Sequence, residues 1–257
     1  MSTSVTLVGG PTAVLNIGGV RIITDPTFDA PQTYHHPIAG PVVKNAAPAF
    51  TPEELGQIDI ALASHEHIDN LDVSGRGFLT MVPLAYTTEE VASNFGPNVV
   101  GLAEHEARTV PLPDGGELTI TALPAKHGPE GVWEALGPVI GFHLAGPGLP
   151  SVYVSGDNSQ MDVVDDIVDR YGPVDIAVLF VGGAKFDVIA DGSYITLSNE
   201  LALEAAQRLQ AKKVVAIHED SWAHFSQNAE QIREVFAAAG LGDAIVALHP
   251  GDTVSLD

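Results

Sequence analysis

His65, His67 and Asp69 stand two positions apart in the string Ser64-His65-Glu66-His67-Ile68-Asp69-Asn70-Leu71-Asp72. In extended chain, residues at that spacing project to one side, so both imidazoles can reach a single ion. Asp69 continues the spacing and could serve a second ion or orient a bound water. Neutral nitrogen beside anionic oxygen is the ligand chemistry of zinc, manganese or iron. A His-x-His pair can arise by chance among ten histidines, so its surroundings must decide.

Those surroundings begin with residues 58–63, Ile-Asp-Ile-Ala-Leu-Ala, which read as a short buried strand delivering the histidines at its end. Four further apolar runs end on a polar residue able to join such a site: Asp25 after Ile22-Ile23-Thr24, His127 after Leu123-Pro124-Ala125-Lys126, Asp157 after Val154-Ser155-Gly156, and His218 after Val214-Val215-Ala216-Ile217. Each alone is ordinary, since a strand-end Asp usually caps a turn. Together they converge.

The elements that must hold these residues are legible as apolar runs. Residues 5–8, 13–17 and 20–24, separated by Gly-rich turns, predict consecutive antiparallel strands. Further strands are predicted at 82–86, 99–102, 117–123, 139–144, 151–155, 176–180, 214–217 and 244–248. Helical stripes run through Met161 to Tyr171, Leu201 to Leu209, and Ile232 to Ala239, the last with Ser226 as N-cap and Gly240 as its stop. Residues 25–52 read as a long Pro-rich connection, a candidate rim for the site. Strands come first and then alternate with helices, without a regular βαβ rhythm, so two sheets with helices outside fit best.

The 257 residues suit one large α/β domain, 1–257. No run is long enough to span a membrane, and the first ten residues lack a secretory pattern, so a cytoplasmic protein is expected. The absence of cysteine removes disulfides, thiolate ligands and cysteine nucleophiles. With 33 acidic against 11 basic residues, the net charge of −22 repels polyanions, so nucleic acid is not an expected partner. A small-molecule substrate is expected, with Lys126 or Lys185 available to a small anion; a homo-oligomer is compatible with this composition. Serine-hydrolase elbows and Gly-rich phosphate loops are missing from the sequence.

Taken together, the motifs resemble the metallo-β-lactamase superfamily, in which His-x-His-x-Asp is followed by a distant His, a Gly-Asp and a final His. The strings Thr24-Asp25-Pro26, Ser64-His65, Asp69-Asn70-Leu71-Asp72 with Gly75-Arg76, Pro124-Ala125-Lys126-His127-Gly128, Gly141-Phe142 and His218-Glu219-Asp220-Ser221-Trp222-Ala223-His224-Phe225 look closest to the L-ascorbate-6-phosphate lactonase-like branch. The resemblance implies an α/β fold, an αββα four-layer sandwich of two mixed β-sheets with helices outside. It also implies that His65, His67 and His127 hold one ion, that Asp69, Asp157 and His218 surround a second with Asp157 bridging, and that Asp25 braces the floor.

Two positions depart from the pattern. Asn70 stands where the family has a histidine; as a ligand its amide oxygen is weaker, which reduces affinity at the second position or favours a harder ion. Gly9-Gly10-Pro11-Thr12 replaces a Gly-His, leaving His35, His36 or His224 for any accessory role. The expected activity is hydrolysis of a small ester, lactone or phosphoester by hydroxide on one or two zinc or manganese ions, with Asp69 and Asp157 handling the water and His224 protonating the leaving group. The alternatives are a phosphodiesterase or nuclease of the same fold, and a catalytically weak metal-binding regulatory protein.

Overall fold

A computed structural model describes residues 2–257; Met1 lies outside them. In chain order the elements are β1 (Ser4–Gly9), β2 (Thr12–Ile17), β3 (Val20–Thr24), β4 (Gln32–His36), β5 (Gly40–Lys44), α1 (Pro52–Leu55), β6 (Ile60–Leu62), α2 (Val73–Leu79), β7 (Leu84–Thr88), α3 (Glu89–Ala92), β8 (Val99–Leu102) and β9 (Ala107–Pro111). They continue as β10 (Glu117–Ala125), α4 (Trp133–Leu136), β11 (Val139–Ala145), β12 (Val152–Val154), α5 (Met161–Tyr171), β13 (Ile176–Phe180), α6 (Asn199–Leu209), β14 (Lys213–Ile217), α7 (Ala229–Ala238), β15 (Ile245–Ala247) and β16 (Thr253–Ser255). Two seven-stranded sheets result, ordered β16-β1-β2-β3-β6-β7-β8 and β15-β14-β13-β12-β11-β10-β9.

Both sheets are mixed. β1, β2 and β3 form an antiparallel meander, and Gly18-Gly19, at φ 60° and 82°, closes the β2–β3 hairpin with the positive φ such a two-residue turn requires. β6, β7 and β8 then add in parallel to β3. In the second sheet β12 to β15 are parallel while β9 to β12 are antiparallel.

Side-chain alternation assembles the layers. On β13, Ile176, Val178 and Phe180 enter the core between the sheets, whereas Ala177 and Leu179 pack against α5, α6 and α7. The outer face of the first sheet is covered through Ile23, Ala61, Ala63 and Ala85 by Leu55, Phe78, Leu79 and Val91 of α1 to α3. This is the expected αββα arrangement. No helix among the described residues is long and apolar enough to cross a membrane.

Several local expectations need correction. The 25–52 connection contains the β4–β5 hairpin, a separate two-stranded sheet. Its strand Gln-Thr-Tyr-His-His is largely exposed and polar, so it shows no apolar alternation. The short β9 and β16 and helices α1 to α4 also carry too little pattern to announce themselves. The N-cap of α7 is Asn228, in a capping box with Gln231. Ser226 is instead tied to the loop before it, its hydroxyl donating to the Gly183 carbonyl at 2.7 Å.

Candidate metal centre

β3, β6, β10, β12 and β14 all end on the same edge of the sandwich, where carboxyl ends of strands in open α/β sheets present their loops. Asp25, His65, His67, His127, Asp157 and His218 leave from those ends. Two groups form: donor atoms of His65, His67 and His127 lie within 4.8 Å of one another, and so do those of Asp69, Asp157 and His218.

Each histidine of the first group has one nitrogen committed elsewhere. The Ser64 hydroxyl donates to Asp25 Oδ2 at 2.7 Å, so at 2.9 Å it accepts from His65 Nδ1 and leaves the Nε2 lone pair free. Carbonyl oxygens only accept. The Leu136 carbonyl, 3.0 Å from His67 Nε2, therefore fixes a proton there and frees Nδ1, while the Ile195 carbonyl, 2.6 Å from His127 Nδ1, frees Nε2. Ring centroids 4.4 to 5.4 Å apart bring these nitrogens together. Burial pushes the His127 pKa down to about 3 and that of His65 well below its usual value, with neighbouring imidazoles adding to the effect; burial also lowers His67. All three rings are neutral near pH 7, the form that binds metal.

Asp157 faces both groups. Its Oδ2 lies 3.7 Å from His65 Nε2 and 3.6 Å from His127 Nε2, and its Oδ1 lies 3.6 Å from His218 Nδ1. Asp69 Oδ2 lies 3.8 Å from His218 Nε2 and accepts a 2.9 Å hydrogen bond from His224 Nε2. Asn70 sits behind this pair as a brace. Carboxylates only accept, so its amide nitrogen faces Asp25 Oδ2 and Asp157 Oδ1, each at 3.2 Å, while its buried oxygen has no hydrogen-bond partner. The amide thus links two acids, and neither group of candidate ligands includes Asn70.

The donor set fits a divalent cation. His65 Nε2, Asp157 Oδ2 and both nitrogens of His218 are buried without a hydrogen-bond partner, and each such atom costs about 1–3 kcal/mol. Burial, then Asp69 and Asp25, drive the Asp157 pKa well above the carboxylate range, and burial lifts Asp25 to about 7 against its Ser64 hydrogen bonds. Burial acts the same way on Asp69, but the His224 hydrogen bond and nearby imidazoles outweigh it and keep that acid ionised. His218 falls to about 3 through burial. Two adjacent cations, or one, would relieve both the unpartnered lone pairs and the crowded acids.

The rim meets this floor through side chains and backbone alike. Lys44 on β5 forms a buried 2.9 Å ion pair with Asp72, which also accepts from the backbone of Phe28, Asp29 and Gly75. A Cβ at Gly75 would lie 1.8 Å from the Pro26 carbonyl oxygen, so this crossing admits only glycine. Beyond the rim, a 350 Å³ cleft opens on His67 and Asp69; Ala39, Val42, Ile68, Leu136, Phe186 and Ile189 line it together with His36 and Glu66. Across the 136–138 segment a 210 Å³ pocket reaches His65 and His67 beside Glu66 and Glu90.

Of the residues singled out for an accessory role, His224 reaches Asp69 and stacks on Phe186 at 4.8 Å between centroids. His36 faces the cleft and accepts from the backbone of Ile38 and Ala39; His35 is exposed on β4. Lys126 pairs with Asp162, and Lys185 lies over the Tyr194 ring, so neither lines the cleft. The Leu136 and Ile195 carbonyls were missed by sequence reasoning, because a backbone oxygen leaves no trace in residue type.

A family described as the Beta-lactamase superfamily domain matches residues 20–218. A UPF0173 metal-dependent hydrolase of Pyrococcus horikoshii is 25% identical over 228 residues, covering 82% of this chain and 88% of its own. Among solved structures, an isothiocyanate hydrolase from Delia radicum gut bacteria aligns with a TM-score of 0.80 and 23% identity over 98% of each chain. A possible metal-dependent hydrolase from Veillonella parvula aligns with a TM-score of 0.83 and 16% identity, over 99% of this chain and 100% of its own. Family and relatives agree over most of the sequence: the chain belongs to the metallo-β-lactamase superfamily and is a metal-dependent hydrolase that uses a divalent cation.

Proposed function

We propose that this hydrolase cleaves a small ester, lactone or phosphoester with a water activated at the His65, His67, His127, Asp69, Asp157 and His218 cluster. The observation carrying this reading is the convergence of unpartnered, neutral imidazole nitrogens on Asp157, beside a cleft that reaches Asp69. The three-histidine group would hold zinc, as a nitrogen-rich site does; the carboxylate-rich group, with Asn70 behind it, suits zinc or the harder manganese. A bound cation supplies Lewis acidity and lowers the pKa of a coordinated water from about 15.7 toward about 7.

The side chains do the rest. Asp69, kept ionised by His224, orients the attacking water and accepts its proton at Oδ2, while Asp157 fixes the direction of attack. The water oxygen adds to the carbonyl carbon or phosphorus, the bond to the leaving oxygen breaks, and His224 Nε2 delivers a proton to that oxygen. Phe186 stacks on the His224 ring and holds it against Asp69. The lactonase-like resemblance supports cyclic esters among the substrates. A second reading, hydrolysis of a small organic isothiocyanate as in the Delia radicum bacterial enzyme, is favoured by the apolar lining of the cleft. A polymeric phosphodiester is disfavoured by the net charge of −22.

The test is a panel of small esters, lactones, phosphoesters and isothiocyanates offered to chelator-stripped protein reloaded with zinc or manganese. Turnover that appears with the cation and vanishes in Asp69→Ala is expected. Turnover indifferent to chelation would contradict the reading.

A further inference from the structure

We infer that the cleft beside Asp69 binds an uncharged, apolar organic group, so that among the substrates proposed above the enzyme selects apolar carboxylic esters and lactones over phosphoesters. This rests on the hydrolase reading and narrows it. The cleft opens directly on His67 and Asp69, so whatever fills it lies against the reacting atoms. Its volume of 350 Å³ is at the small end of small-molecule sites, about 300–1,000 Å³.

Three observations set the chemistry of its occupant. First, six of its ten lining residues are apolar, Ala39, Val42, Ile68, Leu136, Phe186 and Ile189, and part of them belongs to an apolar cluster with Ala184 and Ile195. Second, no lysine or arginine lines it. The charged groups that line it, Glu66 and Asp69, are acidic, and Arg76, outside the lining, pairs with Glu66 at 2.9 Å and lies over the Phe95 ring. Apart from the metal centre, a phosphoryl dianion seated in the cleft would meet Glu66 and no lining guanidinium or ammonium donor of the kind that binds it elsewhere. The pocket across the 136–138 segment carries Glu66 and Glu90 and offers an anion no better host. Third, the apolar surface extends outward. Two exposed large apolar residues, Ile38 and Val188, each 67% accessible, adjoin in sequence the lining residues Ala39 and Ile189.

The test measures binding apart from turnover. Zinc-loaded protein is titrated calorimetrically with straight-chain acyl hydroxamates from two to eight carbons, and kcat/KM is measured for the matching p-nitrophenyl esters and p-nitrophenyl phosphate. Affinity should rise about fourfold per methylene until the cleft is filled. The same gain should appear in kcat/KM across the esters, with the butanoate preferred over the phosphate by at least about a hundredfold. Leu136→Asn and Ile189→Asn should each flatten the dependence on chain length; two sites guard against one variant failing to fold. Affinity that ignores chain length, or phosphate cleaved as well as butanoate, would overturn the inference. A hydroxamate series that keeps its slope while no ester is cleaved would support the apolar subsite and sink the ester reading instead.

Discussion

The two halves of the centre are built differently. In the His65, His67 and His127 half, each ring is pinned by a partner that can only accept or is itself pinned: the Leu136 and Ile195 carbonyls, and Ser64 backed by Asp25. In the Asp69, Asp157 and His218 half, His218 has no hydrogen bond on either nitrogen, Asp157 holds an acid where it resists ionising, and Asn70 provides the link. The first half is organised by the fold. The second is organised by charge, and it is completed only when a cation balances its acids. Preorganisation predicts tight binding in the first half, and crowding predicts weaker, pH-dependent binding in the second.

The largest effect should come from a group that touches the second half, at Asp69, without belonging to the ligand clusters. His224→Gln keeps a donor near Asp69 but removes a titratable ring, so kcat should fall about 10²–10⁴-fold with metal content unchanged. A kcat within threefold of the parent would reduce His224 to packing against Phe186. Next, Ser64→Ala removes the acceptor that fixes the His65 tautomer, and affinity in the tight step should drop about 10–100-fold while the weaker step moves less. Equal weakening of both steps would erase the distinction between the halves.

A smaller effect concerns protons. Burial and the neighbouring Asp69 and Asp25 raise the Asp157 pKa well above the carboxylate range, whereas burial lowers the pKa values of His65, His127 and His218. Cation binding needs the ionised acid, so filling the second half should release a proton, and affinity should weaken as pH falls through that raised pKa. Calorimetry in buffers of different ionisation enthalpy should register more proton release per cation in the parent than in Asp157→Asn. Release equal in both would assign that proton to another group.

Much of this centre is legible in the sequence because its side chains sit at the ends of apolar strands. The runs before Asp25, His65, His127, Asp157 and His218 announce both the element and the point where it ends. β13 and β14 are equally plain, being buried on both faces. What escapes is whatever the backbone or exposed polar chain contributes. The Leu136 and Ile195 carbonyls could belong to any residue type, and the hairpin carrying His36, Ala39 and Val42 to the cleft has one strand too polar to register as such. Asn70 was legible as a departure from the family pattern, but its bridging of Asp25 and Asp157 depends on which side of the amide faces two acids.

The most direct test is zinc titration of chelator-stripped protein, followed calorimetrically for the parent, His67→Ala and His218→Ala, with circular dichroism to verify the fold. The parent should bind in a tight and a weaker step, His67→Ala should lose the tight step, and His218→Ala should lose only the weaker one. Tight zinc binding that survives His67→Ala in a folded protein would contradict the assignment of these residues to a metal centre.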